Sequence, residues 1–147
     1  QIPTCKQVDL DHDGRKDYVV HYDDSGAALA EEFDFDFDGR FDSRYHYDRK
    51  TGKRYLTEHE TGFDNKPDIW KKYDANERID SIRRDRNGDG RPDYWEQYRE
   101  GVLEAILFDD DYDGRIDRHE QSQASREKAA AAAVSSEPSA TTAPAGK

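Results

Sequence analysis

The 147-residue chain has one cysteine and no methionine, and no stretch in it approaches the roughly 18 consecutive apolar residues that a membrane-spanning helix needs. A lone thiol, Cys5, excludes an internal disulfide framework. Without methionine the chain cannot present the Met-rich groove of an intracellular calcium sensor. Hydrophobic residues make up only 33% of the chain, too few for an ordinary packed core to offset the entropy of ordering it. Basic residues are outnumbered 23 to 34, and the formal net charge of −11 argues against nucleic acid or an anionic membrane as partner. No nucleophile motif, phosphate loop or zinc signature is present, so no enzyme is expected. The histidines at 12, 21, 46, 59 and 119 lack metal-ligand spacing and read as strand or loop residues.

The opening Gln1 and the missing methionine are what a mature exported protein shows after leader removal, so a secreted or cell-surface location is expected. Cys5 stands near where a lipoprotein carries its lipidated cysteine, but Ile2-Pro3-Thr4 departs from the small-residue pattern expected there, and a free thiol is the alternative.

What the chain does have is aromatic residues, 12%, far more than disordered chains carry. It also repeats. One motif occurs as Asp9, Asp11, Asp13, Gly14, Asp17, then as Asp34, Asp36, Asp38, Gly39, Asp42. It returns as Asp85, Asn87, Asp89, Gly90, Asp93 and as Asp109, Asp111, Asp113, Gly114, Asp117. A degenerate copy starts at Glu60, with Asp64 and Asp68 in register but Gly62 at the third position and Asn65 in place of glycine. After each of the first four loops a short stretch ends in tyrosine, at 22, 47, 73 and 98, followed by a turn of Gly, Asn or Asp composition and a second stretch into the next loop. Tyr18, Val20 and Tyr22 share one face of a two-residue alternation, as do Tyr45 and Tyr47, which predicts strands rather than helices. Trp70 and Trp95 fall on the opposite, nominally polar face.

The expected fold is therefore all-β: a linear array of antiparallel β-hairpins, about eight strands of roughly seven residues, joined along one edge by the acidic loops. The hairpin repeats span residues 9–120, after an N-terminal segment 1–8. Over 118–134 the strong helix formers, including the run of alanines at 129–133, predict a short C-terminal helix, so 121–147 reads as helix followed by a flexible Ala, Ser, Pro and Thr-rich tail.

Calcium takes six to eight hard oxygen ligands, and a twelve-residue loop supplies them from positions 1, 3, 5, 7 and 9 with glycine at 6 for the sharp turn. The expected ligands are Asp9, Asp11, Asp13, the Arg15 carbonyl and Asp17 in the first loop, and Asp34, Asp36, Asp38, the Arg40 carbonyl and Asp42 in the second. In the fourth they are Asp85, Asn87, Asp89, the Arg91 carbonyl, Asp93 and, at position 12, Glu96. In the fifth they are Asp109, Asp111, Asp113, the Arg115 carbonyl, Asp117 and Glu120. Val20 and Tyr45 stand at position 12 of the first two loops, and Lys71 in the degenerate third, which is expected to stay empty. A turn needs one or two aspartates, not four repelling each other within nine residues. Four divalent ions would bring the net charge of −11 to about −3.

These loops resemble the EF-hand loop and its relatives with altered flanks: dockerin modules, thrombospondin type 3 repeats and the calcium loops of FG-GAP propeller blades, the last most closely over residues 8–20, VDLDHDGRKDYVV. The resemblance implies calcium and no particular role. Dockerins follow the loop with a helix, thrombospondin repeats carry paired cysteines, and a propeller needs more strands than this chain offers. The expected role is a calcium-stabilised structural repeat: spacer, adhesin segment or filament subunit, self-associating through sheet edges. The alternative is a calcium-dependent module binding a glycan or a surface protein through Trp70, Trp95 and the tyrosines.

Overall fold

The structure, a computed structural model, describes residues 4–135. The tail expected beyond the helix falls almost wholly outside them. Ten strands form one sheet in strict sequence order: β1 Cys5–Val8, β2 Tyr18–Tyr22, β3 Ala28–Phe33, β4 Ser43–Tyr47, β5 Arg54–His59, β6 Ile69–Tyr73, β7 Ile79–Arg84, β8 Tyr94–Arg99, β9 Val102–Phe108 and β10 Arg118–Gln121. Every neighbouring pair is antiparallel. The outermost two are strands that composition did not predict. β1 lies in the segment read as preceding the repeats, and β10 takes the residues assigned to the start of a helix, so α1 covers Gln123–Ser135 instead. Ser122 caps it, its hydroxyl accepting from the Ser125 amide and donating to the Leu103 carbonyl of β9.

Alternation decides which residues share a face. One face carries Tyr18, Val20, Phe33, Tyr45, Ile82, Tyr94 and Phe108; the other carries Val19, Glu32, Arg44, Trp70, Arg83, Trp95 and Leu107. Within β2, β4, β6 and β8 the register slips between the penultimate position of the pattern and its tyrosine: His21/Tyr22, His46/Tyr47, Lys72/Tyr73 and Gln97/Tyr98. This bulge recurs once per repeat, and bulges sharpen local twist.

Among the described residues no second sheet covers either face, so few apolar side chains are fully buried: Val19, Val20, Ile82 and Ala105. Stability must come from contacts across neighbouring strands within each face. Phe33 lies 4.8 Å from Tyr18 and 4.9 Å from Tyr45. The Arg54 guanidinium stacks between Tyr45 and Tyr73. Glu31 accepts hydroxyl hydrogen bonds from both Tyr18 and Tyr47, at 2.8 and 2.7 Å. On the other face Glu32 joins His21 and Arg44.

The two edges of the hairpin array differ. Along one lie the five acidic loops; along the other lie four short turns. Three of these turns open on an aspartate: Asp23, Asp48 and Asp74 each accept backbone amides two to four residues ahead. Those amides, with hydroxyl donors from Ser25 and Thr51 and guanidinium donors from Arg49 and Arg78, hold all three carboxyls below the usual carboxylate range. The fourth turn, after Arg99, is a two-residue connection with Glu100 and Gly101 at positive φ, the geometry of a type I′ hairpin.

Candidate metal centres

Each acidic loop is organised by its own carboxylates. The first-position acid accepts the amide of the sixth-position glycine: Asp9 from Gly14, Asp34 from Gly39, Asp85 from Gly90 and Asp109 from Gly114. The ninth-position aspartate accepts the amide of the second residue: Asp17 from Leu10, Asp42 from Phe35, Asp93 from Arg86 and Asp117 from Asp110. Side-chain oxygens at position 3 accept the position 5 amide, from Asp11, Asp36, Asn87 and Asp111, and those of Asp13, Asp38, Asp89 and Asp113 accept the amides of Arg15, Arg40, Arg91 and Arg115. The carboxylates thus bind the backbone of their own loops, while the side chains at positions 3 and 5 stay open to solvent.

Winding needs left-handed backbone at two places. Position 6 supplies it through Gly14, Gly39, Gly90 and Gly114. Position 4 supplies it too, through His12, Phe37, Phe63, Gly88 and Tyr112, a requirement that the spacing of acids alone does not reveal because only one of the five is glycine.

In three loops, oxygens of three acids lie within 4.8 Å of one another: Asp9, Asp11, Asp13; Asp34, Asp36, Asp42; and Asp109, Asp111, Asp117. The electrostatics register the crowding. At Asp111 the Asp113 amide favours the charged form, but desolvation and the charges of Asp113, Asp117 and Asp109 outweigh it and raise its pKa. At Asp9 desolvation is outweighed by the amides of Gly14 and His12 and by Lys16, and its pKa falls. Asp34 is buried, and its Oδ1 has no hydrogen-bond partner among the described residues. All donors offered here are oxygens, the ligand type that calcium and magnesium take and that zinc and copper do not prefer.

The fourth loop differs. Arg86, at its second position, places Nε 2.5 Å from the buried Asp93 carboxylate, and its Nη2 reaches the Asp109 carbonyl and Asp110 of the fifth loop. A protein cation therefore occupies one face of the ninth-position acid. The third loop keeps the frame with fewer acids: Asn65 adopts the left-handed backbone of the missing glycine, and Thr61 caps Asp68 through amide and hydroxyl.

Two assigned ligands lie elsewhere. Glu96 sits within β8, where it accepts the hydroxyls of Tyr94 and Tyr98. Glu120 sits in β10 paired with Arg118. A strand leaves each loop, so position 12 lies on extended chain beyond it, and both acids are held by partners within that strand, hydroxyls at Glu96 and a guanidinium at Glu120.

Loops are also tied to one another. The last acid's carbonyl accepts the first residue's amide of the next loop four times: Asp17 from Asp34, Asp42 from Glu60, Asp68 from Asp85 and Asp93 from Asp109. Arg15 and Arg40 donate to the Asp38 and Phe63 carbonyls one loop further on.

No protein-family model matches the chain, and no curated protein matches it. Among solved structures, it is similar to the GtfA/B complex bound to UDP and GlcNAc, with a TM-score of 0.52 and 14% identity, covering 88% of this chain and 28% of that one. It also aligns with TarM at a TM-score of 0.49 and 12% identity, covering 73% of this chain and 20% of that one. The chain thus spans less than a third of either neighbour, and the likeness to the GtfA/B complex is one of fold.

Proposed function

We propose that the chain is a calcium-binding, calcium-stabilised structural repeat protein working outside the cytoplasm, as a spacer, adhesin segment or filament subunit. The observation that carries this reading is Asp34: a buried carboxylate with one oxygen unpartnered among the described residues, grouped with Asp36 and Asp42. Leaving a charged oxygen buried and unpaired costs more than the about 1–3 kcal/mol of a neutral group, and a hard cation removes that cost. The first two loops carry Val20 and Tyr45 at position 12, and in the fourth and fifth Glu96 and Glu120 are engaged by tyrosine hydroxyls and Arg118; loops with fewer charged ligands fall toward the affinities of extracellular modules, about 10⁻⁴–10⁻³ M. Such sites fill where free calcium is high. The single-layer sheet supports the structural role: ten strands at about 4.8 Å spacing make a strip about 43 Å long.

The test is chelation followed by calcium titration, read by circular dichroism and equilibrium dialysis. About four ions are expected, three at the loops that group three acids and a weaker one at the fourth, with a rise in melting temperature that magnesium at equal concentration does not match. A protein equally folded and heat-resistant in excess EDTA, with no calcium retained on dialysis, would end the proposal.

A second reading has one observation in its favour. Trp70, Arg83 and Trp95 stand directly opposite one another on adjacent strands, in the middle of a face that no second sheet covers among the described residues. Two half-buried indoles about 9.6 Å apart suit stacking against alternate sugars of a glycan. Binding on a glycan array that is lost in Trp70→Ala and Trp95→Ala would support it; an array without signal would remove it.

A further inference from the structure

Among the described residues the sheet ends at two edges, β1 and β10. They are complementary. Within the chain every loop-bearing strand pair is followed by a pairing of fixed phase, in which the residue after the loop faces the residue before the next loop, as Tyr18 faces Phe33 and Tyr94 faces Phe108. Extending that phase beyond β10 to the β1 of a second copy sets Arg118 opposite Val8, His119 opposite Gln7, Glu120 opposite Lys6 and Gln121 opposite Cys5. The acid and the base at Glu120 and Lys6 meet as a cross-strand pair on the same face. The loop ladder continues as well: the Asp117 carbonyl and the Asp9 amide stand at the two ends of the series running Asp17 to Asp34 through Asp93 to Asp109. Strand direction also agrees, since β10 runs opposite to β1 in a sheet of ten alternating strands.

We propose that copies of this chain associate head to tail, the β10 edge of one pairing antiparallel with the β1 edge of the next, so that the sheet and its row of acidic loops continue from copy to copy. The pairing is heterologous and leaves an open edge at each end, which generates a filament rather than a closed dimer. The proposal deepens the structural reading above but rests on strand register, so calcium binding measured by dialysis and assembly measured separately can fail independently. Filling the loops lowers the repulsion between copies that each carry a net charge of −11, and assembly strengthens with calcium.

The test uses Cys5. Within one chain, positions 5 and 121 lie on opposite edges about 43 Å apart, so no internal disulfide can join them. Directly opposed strand residues have Cα atoms about 4.5–5.5 Å apart, inside disulfide range. Gln121→Cys, oxidised mildly with glutathione disulfide in calcium, is expected to give a ladder of covalent multimers whose mapped link is between positions 5 and 121. His119→Cys, two residues out of register and opposite Gln7, keeps the Glu120 and Lys6 pair but stands about 7–8 Å diagonally from Cys5, and should give no such ladder. Equal ladders from both variants, or a product stopping at a dimer linked through Cys5 alone, would overturn the proposal. Charge reversal supplies a second readout by sedimentation velocity: Lys6→Glu and Glu120→Lys each weaken association at least about fivefold and the double reversal restores it, whereas a double variant no better than the singles counts against the register.

Discussion

Arg15 reaches over Gly39: its Nη1 donates to the Asp38 carbonyl at 2.9 Å, and a β-carbon on Gly39 would lie 2.5 Å from that nitrogen. One loop is thereby laid directly on the next. Gly39→Ala combines two penalties, the left-handed backbone at φ 90° and displacement of the Arg15 side chain. Gly114→Ala carries the same backbone strain at φ 89° with nothing near the new β-carbon. Each should lose about 1–2 kcal/mol. Gly39→Ala should lose about 0.5 kcal/mol more, since the contact it disturbs is exposed. Urea denaturation in calcium measures both, and the difference should vanish in an Arg15→Ala background.

Asp34→Asn separates the metal from the fold. Asparagine keeps an oxygen for the Gly39 amide and replaces the charged, unpartnered Oδ1 environment with a neutral one. In chelator the variant should match or exceed the parent in stability, because an uncompensated buried charge has gone. In saturating calcium it should be less stable by about 1–3 kcal/mol and bind one ion fewer. The reversal of sign between the two conditions, followed by thermal unfolding, is what a purely structural aspartate would not produce.

How much of this the sequence made legible differs by element. The loops at 9, 34, 60, 85 and 109 and the inner strands could be read because acids, glycine and tyrosine recur at fixed offsets. β10 could not. Arg118, His119, Glu120 and Gln121 are all exposed, so no alternation marks them, and the adjoining alanine run draws a helix across them. β1 has four residues and fails for the same reason. The ligand role of Glu96 and Glu120 rests on counting to twelve, which presupposes that the chain turns back after position 9; the strand that follows instead is legible for Glu96 in the stretch ending at Tyr98, and for Glu120 only in the structure. Arg86 was passed over because a basic residue beside acids reads as a solvated neighbour until its guanidinium is seen on Asp93.

Thr57 is the most buried side chain of the sheet, and its Oγ1 has no hydrogen-bond partner among the described residues. Thr57→Val replaces the hydroxyl by a methyl of similar size. Removing an unpartnered polar group of that kind should leave stability unchanged or raise it by about 1 kcal/mol, against the loss usual for a buried substitution. A melting temperature lowered by several degrees would show that the hydroxyl is satisfied.

Alkaline pH should unfold the sheet at a defined place. Desolvation, then the hydrogen bond to Glu31, pushes Tyr18 up to about 12, and the same two causes raise Tyr47. Desolvation and Glu96 push Tyr98 up to about 12. These phenols are acids held neutral in the folded state, so their contribution is fully present below the unfolded value of 10 and is lost as pH rises from there through about 12. Glu31→Gln removes the charge that opposes ionisation. In ultraviolet difference titration its phenolate transition should begin at lower pH than the parent's, with the Tyr94 and Tyr98 pair unmoved.

Arg86 sets the rank of the fourth loop. Its guanidinium holds Oδ1 of the buried Asp93, while Oδ2 accepts the amides of Arg86 and Asn87 in the same way that Asp17 accepts those of Leu10 and Asp11. A calcium ion must therefore displace or share with a fixed cation at this loop, which the first loop, with leucine in that position, does not require. Arg86→Leu frees Asp93 and should raise calcium affinity at the fourth loop about tenfold, equivalent to about 1.4 kcal/mol. It also strips a buried carboxylate of its partner, so stability in chelator should fall while stability in saturating calcium recovers. Titration with calcium against terbium luminescence resolves the fourth-loop affinity, and unfolding in both conditions tests the coupling. Should the substitution lower affinity instead, Arg86 shapes the loop for the ion and the competition argued here is absent.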